Sequence, residues 1–420
     1  MIALVACGGG GGPAGAEPTG GKAAPPARSS APATPSAATT PAQSEVQRVL
    51  SRLTTEEKVG QLFMPVLYGT TAGSASGENQ ARYGAQTPAK VIAKYHLGGV
   101  ILFPHNVKST KQVVGLTNGL QRAAGKVPLL IGTDQENGLV SRMSALMTKF
   151  PGQGAIGDTK DTGLAREVAK ATGEELRALG VNLDFAPVAD VNVNPRNPVI
   201  GRRAYGDDPK RVAAMVAAAV KGFGDAKVAA TAKHFPGHGD TSVDSHTGLP
   251  VIKHTKAQWE RIDAPPFKAA IDAGVDAVMS AHIVFPKLDP SGDPATLSKP
   301  ILTGLLREKL GFKGVISTDA LNMAGARKKY DDGEVAVRAV LAGADLLLMP
   351  NDLPKAYKAV LKAVKSGRIS EQRLDQSVTR LLTLKHKRGF LTEAPVASAA
   401  KAAGVLRSSA HRKLAARAGG

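Results

Sequence analysis

Residues 233 to 246 read Lys-His-Phe-Pro-Gly-His-Gly-Asp-Thr-Ser-Val-Asp-Ser-His, with three histidines, two aspartates and a lysine in fourteen positions. Three imidazoles invite a metal ion, and His234 and His238 have the i, i+4 spacing of a zinc-binding helix. Pro236 and Gly237 stand between them and oppose a helix, so the stretch reads as a loop leaving a strand, and no metal or cofactor is expected. Acid–base chemistry fits better. Asp244 precedes His246 by two residues, close enough to bond one ring nitrogen and ready the other for proton transfer near neutral pH. A further candidate is Asp319, which directly follows the apolar run Val315-Ile316-Ser317-Thr318. A carboxylate held at a strand end either caps the next helix or serves as a nucleophile toward a sugar.

The elements that must position these residues can be read from hydrophobic pattern. Eight short runs rich in Val, Ile and Leu alternate with longer segments of helical period: 62–67, 99–103, 128–133, 182–187, 229–234, 277–281, 314–318 and 344–349. Helices are expected at 165–179, 209–223, 256–272 and 299–310, where apolar residues recur on one face. Continuous apolar strands are buried on both sides, as in parallel sheets. Eight βα units point to an α/β fold, a single (β/α)8 TIM-type barrel, with a doubly wound open sheet as the alternative. In a barrel the strand C-termini share one mouth. Asp134, Asp190, Lys233 with His234, His282 and Asp319 all fall at or just after the ends of successive runs, so they converge there.

Composition bounds the rest. Of the 420 residues 43% are hydrophobic but only 4% aromatic, which implies an aliphatic core. The net charge of +19 is spread along the chain, and no basic run is interleaved with aromatics, so nucleic-acid binding is not expected. The single cysteine excludes an internal disulfide. Leu4-Val5-Ala6-Cys7 resembles the lipobox of bacterial lipoproteins, although the apolar stretch before it is shorter than a signal peptide. Residues 8 to 43 are almost wholly Gly, Ala, Pro, Ser and Thr, a composition that stays extended. The expected organisation is a signal remnant and disordered linker over 1–43, a catalytic barrel over 44–390 and an Ala-rich basic tail over 391–420. The tail either adds a short amphipathic helix or remains disordered. The expected protein is a monomer outside the cytoplasm, secreted or held at the membrane only through lipid on Cys7.

Four ordered motifs carry a family resemblance: Asp134-Gln135-Glu136-Asn137-Gly138, the Lys233–Gly239 stretch, Asp244-Ser245-His246 and Ser317-Thr318-Asp319. Together they resemble glycoside hydrolase family 3, in its β-N-acetylglucosaminidase branch, from about residue 46 to about 388. The resemblance implies a retaining mechanism in which Asp319 attacks the anomeric carbon. His246, assisted by Asp244, would protonate the leaving oxygen and then activate water. It also implies that Asp134, Arg203, Lys233 and His234 bind the sugar, with His282 nearby. Many members read Asp-Gln-Glu-Gly-Gly-Arg-Val where this chain has Asn137, Gly138, Leu139 and Val140, so an arginine is replaced there, although Arg142 follows. With the resemblance ending near 388, the site is expected to be built from the barrel alone. The implied substrates are glycans with terminal β-linked N-acetylglucosamine, such as peptidoglycan fragments. Phosphorolysis, β-glucosidase activity and a non-catalytic sugar-binding lipoprotein are the competing readings. The middle histidine, His238, is expected only to shape the loop with Gly237 and Gly239.

Overall fold

The computed structural model describes residues 40–245 and 248–419. Cys7 and the linker up to residue 39 lie outside these, as do His246 and Thr247. The first helix, Pro41–Leu50, begins inside the segment read as linker. Thr40 and Gln43 form a reciprocal capping box, and Pro41 takes the first helical position, where its missing N–H costs nothing.

Eight short parallel strands, numbered here in chain order, fall inside the eight apolar runs or at most one residue beyond them. They are β1 (Phe63–Met64), β2 (Gly99–Ile101), β3 (Leu130–Thr133), β4 (Leu183–Asp184), β5 (Ala229–Phe235), β6 (Ala277–Ser280), β7 (Val315–Ser317) and β8 (Leu347–Leu348). Strands β2 to β7 form one curled six-stranded parallel sheet in sequence order. Strand β1 pairs with β8 as a separate parallel pair, Phe63 opposite Leu347 and Met64 opposite Leu348. Single parallel bridges, Val66 with Ile101 and Ser317 with Leu346, lie between that pair and the two edges of the sheet.

Helices cover the sheet because their apolar stripes have nowhere else to go. Thr162–Ala178 starts at an Asp161 cap and buries Leu164, Val168 and Leu176, packing along Pro209–Asp225. The helix expected over 256–272 is in fact two, Lys256–Ile262 and Ala264–Asp272, broken at Asp263. Pro265 and Pro266 follow the break; they lack the N–H groups a continuous helix needs there. The segment Pro300–Lys309 is wound more widely than an α-helix, and Leu310 N–H reaches back five residues to the Leu305 carbonyl. The basic C-terminal segment forms helices Ala399–Val405 and Ser409–Arg417, tied to the body where His411 Nδ1 meets Glu175 at 2.8 Å.

Few aromatics are present, and several sit together behind β5. Phe235 meets Trp259 and Phe267 edge to face, with centroids 6.1 and 5.2 Å apart. Trp259 Nε1–H donates to the Pro236 carbonyl at 3.0 Å. These contacts fix the strand end that carries Lys233 and His234.

Candidate active site

A cavity of about 510 Å³ opens at the C-terminal ends of the strands. Six of the eight residues singled out from sequence line it: Asp134, Arg203, Lys233, His234, Asp244 and Asp319. His282 is buried behind the wall. Its Nε2–H donates to the Ala320 carbonyl at 3.0 Å and its Nδ1 meets Thr296 Oγ1 at 2.9 Å, so the ring supports the peptide after Asp319. His246 lies outside the described residues.

The polar wall is a paired charge network. Lys233, only 2% exposed, donates to Asp134 Oδ1 at 2.8 Å and to Glu136 Oε1 at 2.7 Å. Arg203 grips Glu136 through two parallel bonds of 2.7 and 2.8 Å, the fork geometry only arginine supplies. Burial alone would raise the Glu136 carboxyl, but Lys233 and Arg203 outweigh it and hold it down at about 2. For Lys233, burial disfavours charge, yet Asp134 and Glu136 prevail and its ammonium is held above the usual range. One carboxyl behind this wall behaves oppositely. Asp184, at the end of β4, is pushed up to about 8, first by burial and then by the charges of Asp134 and Glu136 against the Gln135 amide and Lys233. Its Oδ1 accepts the Gln135 N–H at 2.9 Å, whereas Oδ2 has no hydrogen-bond partner among the described residues. Burial therefore favours the neutral acid at Asp184, just behind the wall.

Asp319 stands across from this network, partly exposed to the cavity. Its Oδ1 accepts the Ala320 N–H at 2.7 Å. Burial pushes its carboxyl up, but His234, His282, the Ala320 amide and Lys233 together bring it below the ordinary value. It is a rigid anion at neutral pH, as a nucleophile requires.

The loop after β5 leaves a tightly fixed base. A Cβ on Gly239 would lie 1.7 Å from the Val191 carbonyl oxygen, so only glycine fits there. His238 is buried, and burial, with the His234 ring beside it, lowers its imidazole to about 4. Neutral His238 is bonded through Nε2 to Ser245 Oγ at 2.8 Å, so it anchors the segment holding Asp244 and Ser245 rather than only shaping the turn. On the returning limb His254 joins Asp263 and Asp240 at 2.6 and 3.0 Å. Burial favours the neutral ring, but the Asp263 hydrogen bond dominates and the imidazole is raised.

Three contributors were not expected from sequence as parts of the site. Glu136 is the shared partner of Lys233 and Arg203, and its signal was its place in the same motif as Asp134. Arg142 lines the cavity with its guanidinium 5.4 Å from the Phe103 ring centroid, and its buried Nε has no partner among the described residues. Asp190, noted only as a strand-end residue, holds His234 and His238 from beneath. The departure at Asn137-Gly138 also has a physical reason. Both residues take positive φ, 69° and 60°, as the chain turns between the strands Gln135–Asn137 and Val140–Ser141, a conformation that Asn and Gly tolerate best. Leu139 beside it is exposed at the rim.

Residues 54–384, which hold this entire constellation, match the model of the glycosyl hydrolase family 3 N-terminal domain. The chain belongs to glycosyl hydrolase family 3. It is 39% identical over 396 residues to β-hexosaminidase A of Pseudoalteromonas piscicida, covering 86% of this chain and 65% of that protein. A family 3 β-N-acetylglucosaminidase structure from Paenibacillus sp. str. FPU-7 superposes with a TM-score of 0.79 at 44% identity, covering 87% of this chain and 68% of that one. A β-glucoside phosphorylase, BglX, bound to 2FGlc gives a TM-score of 0.81 at 28% identity, covering 89% and 66%. The chain thus spans 65% to 68% of the length of these three proteins.

Proposed function

We propose that this chain is a retaining exo-β-N-acetylglucosaminidase that releases terminal β-linked N-acetylglucosamine, with peptidoglycan fragments as its source. The observation that carries the reading is Asp319, an ionised carboxylate fixed by the Ala320 amide on the wall of the cavity that Asp134, Arg203, Lys233 and His234 also line. In this reading Asp319 attacks the anomeric carbon as the glycosidic C–O bond breaks, and His246, oriented by Asp244, gives its proton to the departing oxygen. The same imidazole then takes a proton from water as that water displaces Asp319 and frees the sugar. Asp134 accepts from sugar hydroxyls, whereas Lys233 and Arg203, already committed to Glu136, present a preorganised positive wall. The similarity to the β-hexosaminidase and the β-N-acetylglucosaminidase supports the acetamido sugar.

The same reading closes the sheet. The bridges at Val66–Ile101 and Ser317–Leu346 join the β1–β8 pair to both sheet edges, which supports a complete (β/α)8 barrel with the cavity at its mouth. Cys7, outside the described residues, would tether the enzyme where wall fragments are released.

The test compares a β-N-acetylglucosaminide with the matching β-glucoside, using native protein and Asp319→Ala. Loss of turnover by about 10³-fold or more is expected in the variant. Native turnover by the variant would remove Asp319 as nucleophile, and equal rates on both sugars would remove the acetamido preference. The fold similarity to the β-glucoside phosphorylase favours a second reading, phosphorolysis. Sugar 1-phosphate formed only when phosphate is present would establish it.

A further inference from the structure

Asp190 does not line the cavity, and its side chain is wholly buried just beyond β4. Its carboxylate nonetheless touches both halves of the loop base. Oδ1 accepts the main-chain N–H of His234 at 3.1 Å and that of His238 at 2.7 Å. Oδ2 takes the ring Nδ1–H of His234 at 2.7 Å. A carboxylate can only accept, so the proton sits on Nδ1 and it is Nε2 that is left for the cavity. The chain around this contact cannot shift to relieve it. Gly237 N–H closes the turn onto the His234 carbonyl at 2.8 Å, and Asn197 Nδ2–H holds the His238 carbonyl at 2.8 Å. The His234 and His238 rings meet edge to face, 5.6 Å apart.

We propose that Asp190 is a positioning residue for the reaction at Asp319: it fixes which nitrogen of His234 faces the sugar and ties that ring to the base of the loop carrying Asp244. The proposal rests on the catalytic reading of Asp319 and His234 given above. A ring free to rotate or change tautomer would spend part of the binding energy on its own ordering, and one fixed beforehand contributes fully in the transition state. Two of the three bonds serve the backbone of the turn and one serves the ring, so a single buried carboxylate sets both the cavity-facing ring and the start of the loop that carries Asp244.

Asp190→Asn separates this role from simple support. The amide keeps the size of the carboxylate, and its oxygen can still accept both backbone N–H groups. Its N–H, however, now faces Nδ1 and forces the His234 proton to Nε2. The expected result is a fall in kcat of about 10²-fold or more, with a smaller change in KM and melting within a few degrees of native. Nitrogen-15 spectra of the histidine rings should show His234 as the Nδ1–H form in native protein and the Nε2–H form in the variant. Adding Asp190→Asn to His234→Asn should cost little beyond His234→Asn alone, because the two act as a unit. The idea fails if Asp190→Asn turns over within twofold of native, or if its effect multiplies with that of His234→Asn. Should the variant not fold, the native spectrum still decides: an Nε2–H tautomer of His234 overturns the proposal. Rates are taken on whichever sugar the native protein cleaves, with Asp319→Ala as control, so an error in the sugar assignment leaves this coupling readable.

Discussion

The two ends of the sheet carry similar buried charge to opposite purposes. At the N-terminal end, Asp345 before β8 is fully buried, and both oxygens are paired. Oδ1 takes Ser377 Oγ at 2.6 Å and Arg380 at 3.1 Å, with Arg373 at 3.5 Å, while Oδ2 takes Arg307 and the Ile316 N–H. At the C-terminal end the charges are paired but leave capacity unspent: among the described residues Arg142 Nε and, buried behind the wall, Asp184 Oδ2 have no hydrogen-bond partner, and Asp319 is partly exposed to an open cavity that Arg142 also lines. Charge that completes itself stabilises a fold, whereas charge left incomplete beside a cavity awaits a ligand.

Substitutions at the two ends should therefore separate turnover from stability. At the mouth, Asp134→Ala should lower kcat/KM by about 10³-fold while melting changes by only a few degrees, since Lys233 keeps Glu136 as partner. At the other end, Asp345→Asn should cost about 3 kcal/mol in denaturant unfolding, because three guanidinium groups lose their shared anion, with kcat within twofold of native. Equal losses of activity in both variants would erase the contrast.

Asp184→Asn sharpens it with the opposite sign. Native Asp184 has a folded value of about 8, far above that of the unfolded chain, so its favourable contribution is complete below the unfolded carboxylate range. That contribution is lost as pH rises from about 4 through about 8. The asparagine does not titrate and should become the more stable form by about 1–3 kcal/mol near pH 8, a gap that closes toward pH 4. A melting difference independent of pH would show that Asp184 is not protonated in the fold.

The smallest effect is expected at the C-terminal helix. The Glu175 hydrogen bond raises the His411 imidazole against the cost of burial, and Glu174 adds to it. Its contribution is complete below the ordinary histidine range and disappears as pH climbs through the raised value. His411→Gln should remove that pH dependence, worth about 1 kcal/mol for a hydrogen bond whose imidazole is largely covered and whose Glu175 acceptor is fully buried. Melting curves between pH 6 and 9 would detect it.

Strand positions were legible because strands buried on both faces leave continuous apolar runs, as at 128–133 and 277–281. Their lengths were not, since strand ends depend on pairing partners that only the fold supplies. The break at Asp263 was readable in principle from Pro265 and Pro266, but the apolar period across 256–272 masked it. Asp134, Lys233, His234 and Asp319 could be placed because each falls at or just past a strand end, and parallel strands gather such ends. Glu136 and Asp190 act through partners 67 and 44 residues away, and nothing in a linear pattern marks such pairings. The upward shift of the Asp184 carboxyl is likewise a property of its surroundings and not of its residue type.

Trp259 is the only tryptophan in the chain, and its indole N–H is bonded to the carbonyl of Pro236, two residues beyond His234. All indole emission from this protein therefore originates within the packing that supports the strand end carrying Lys233 and His234. A fluorescence titration observes that one neighbourhood against a dark background, so the fold carries its own optical label at the place where ligand occupancy matters most.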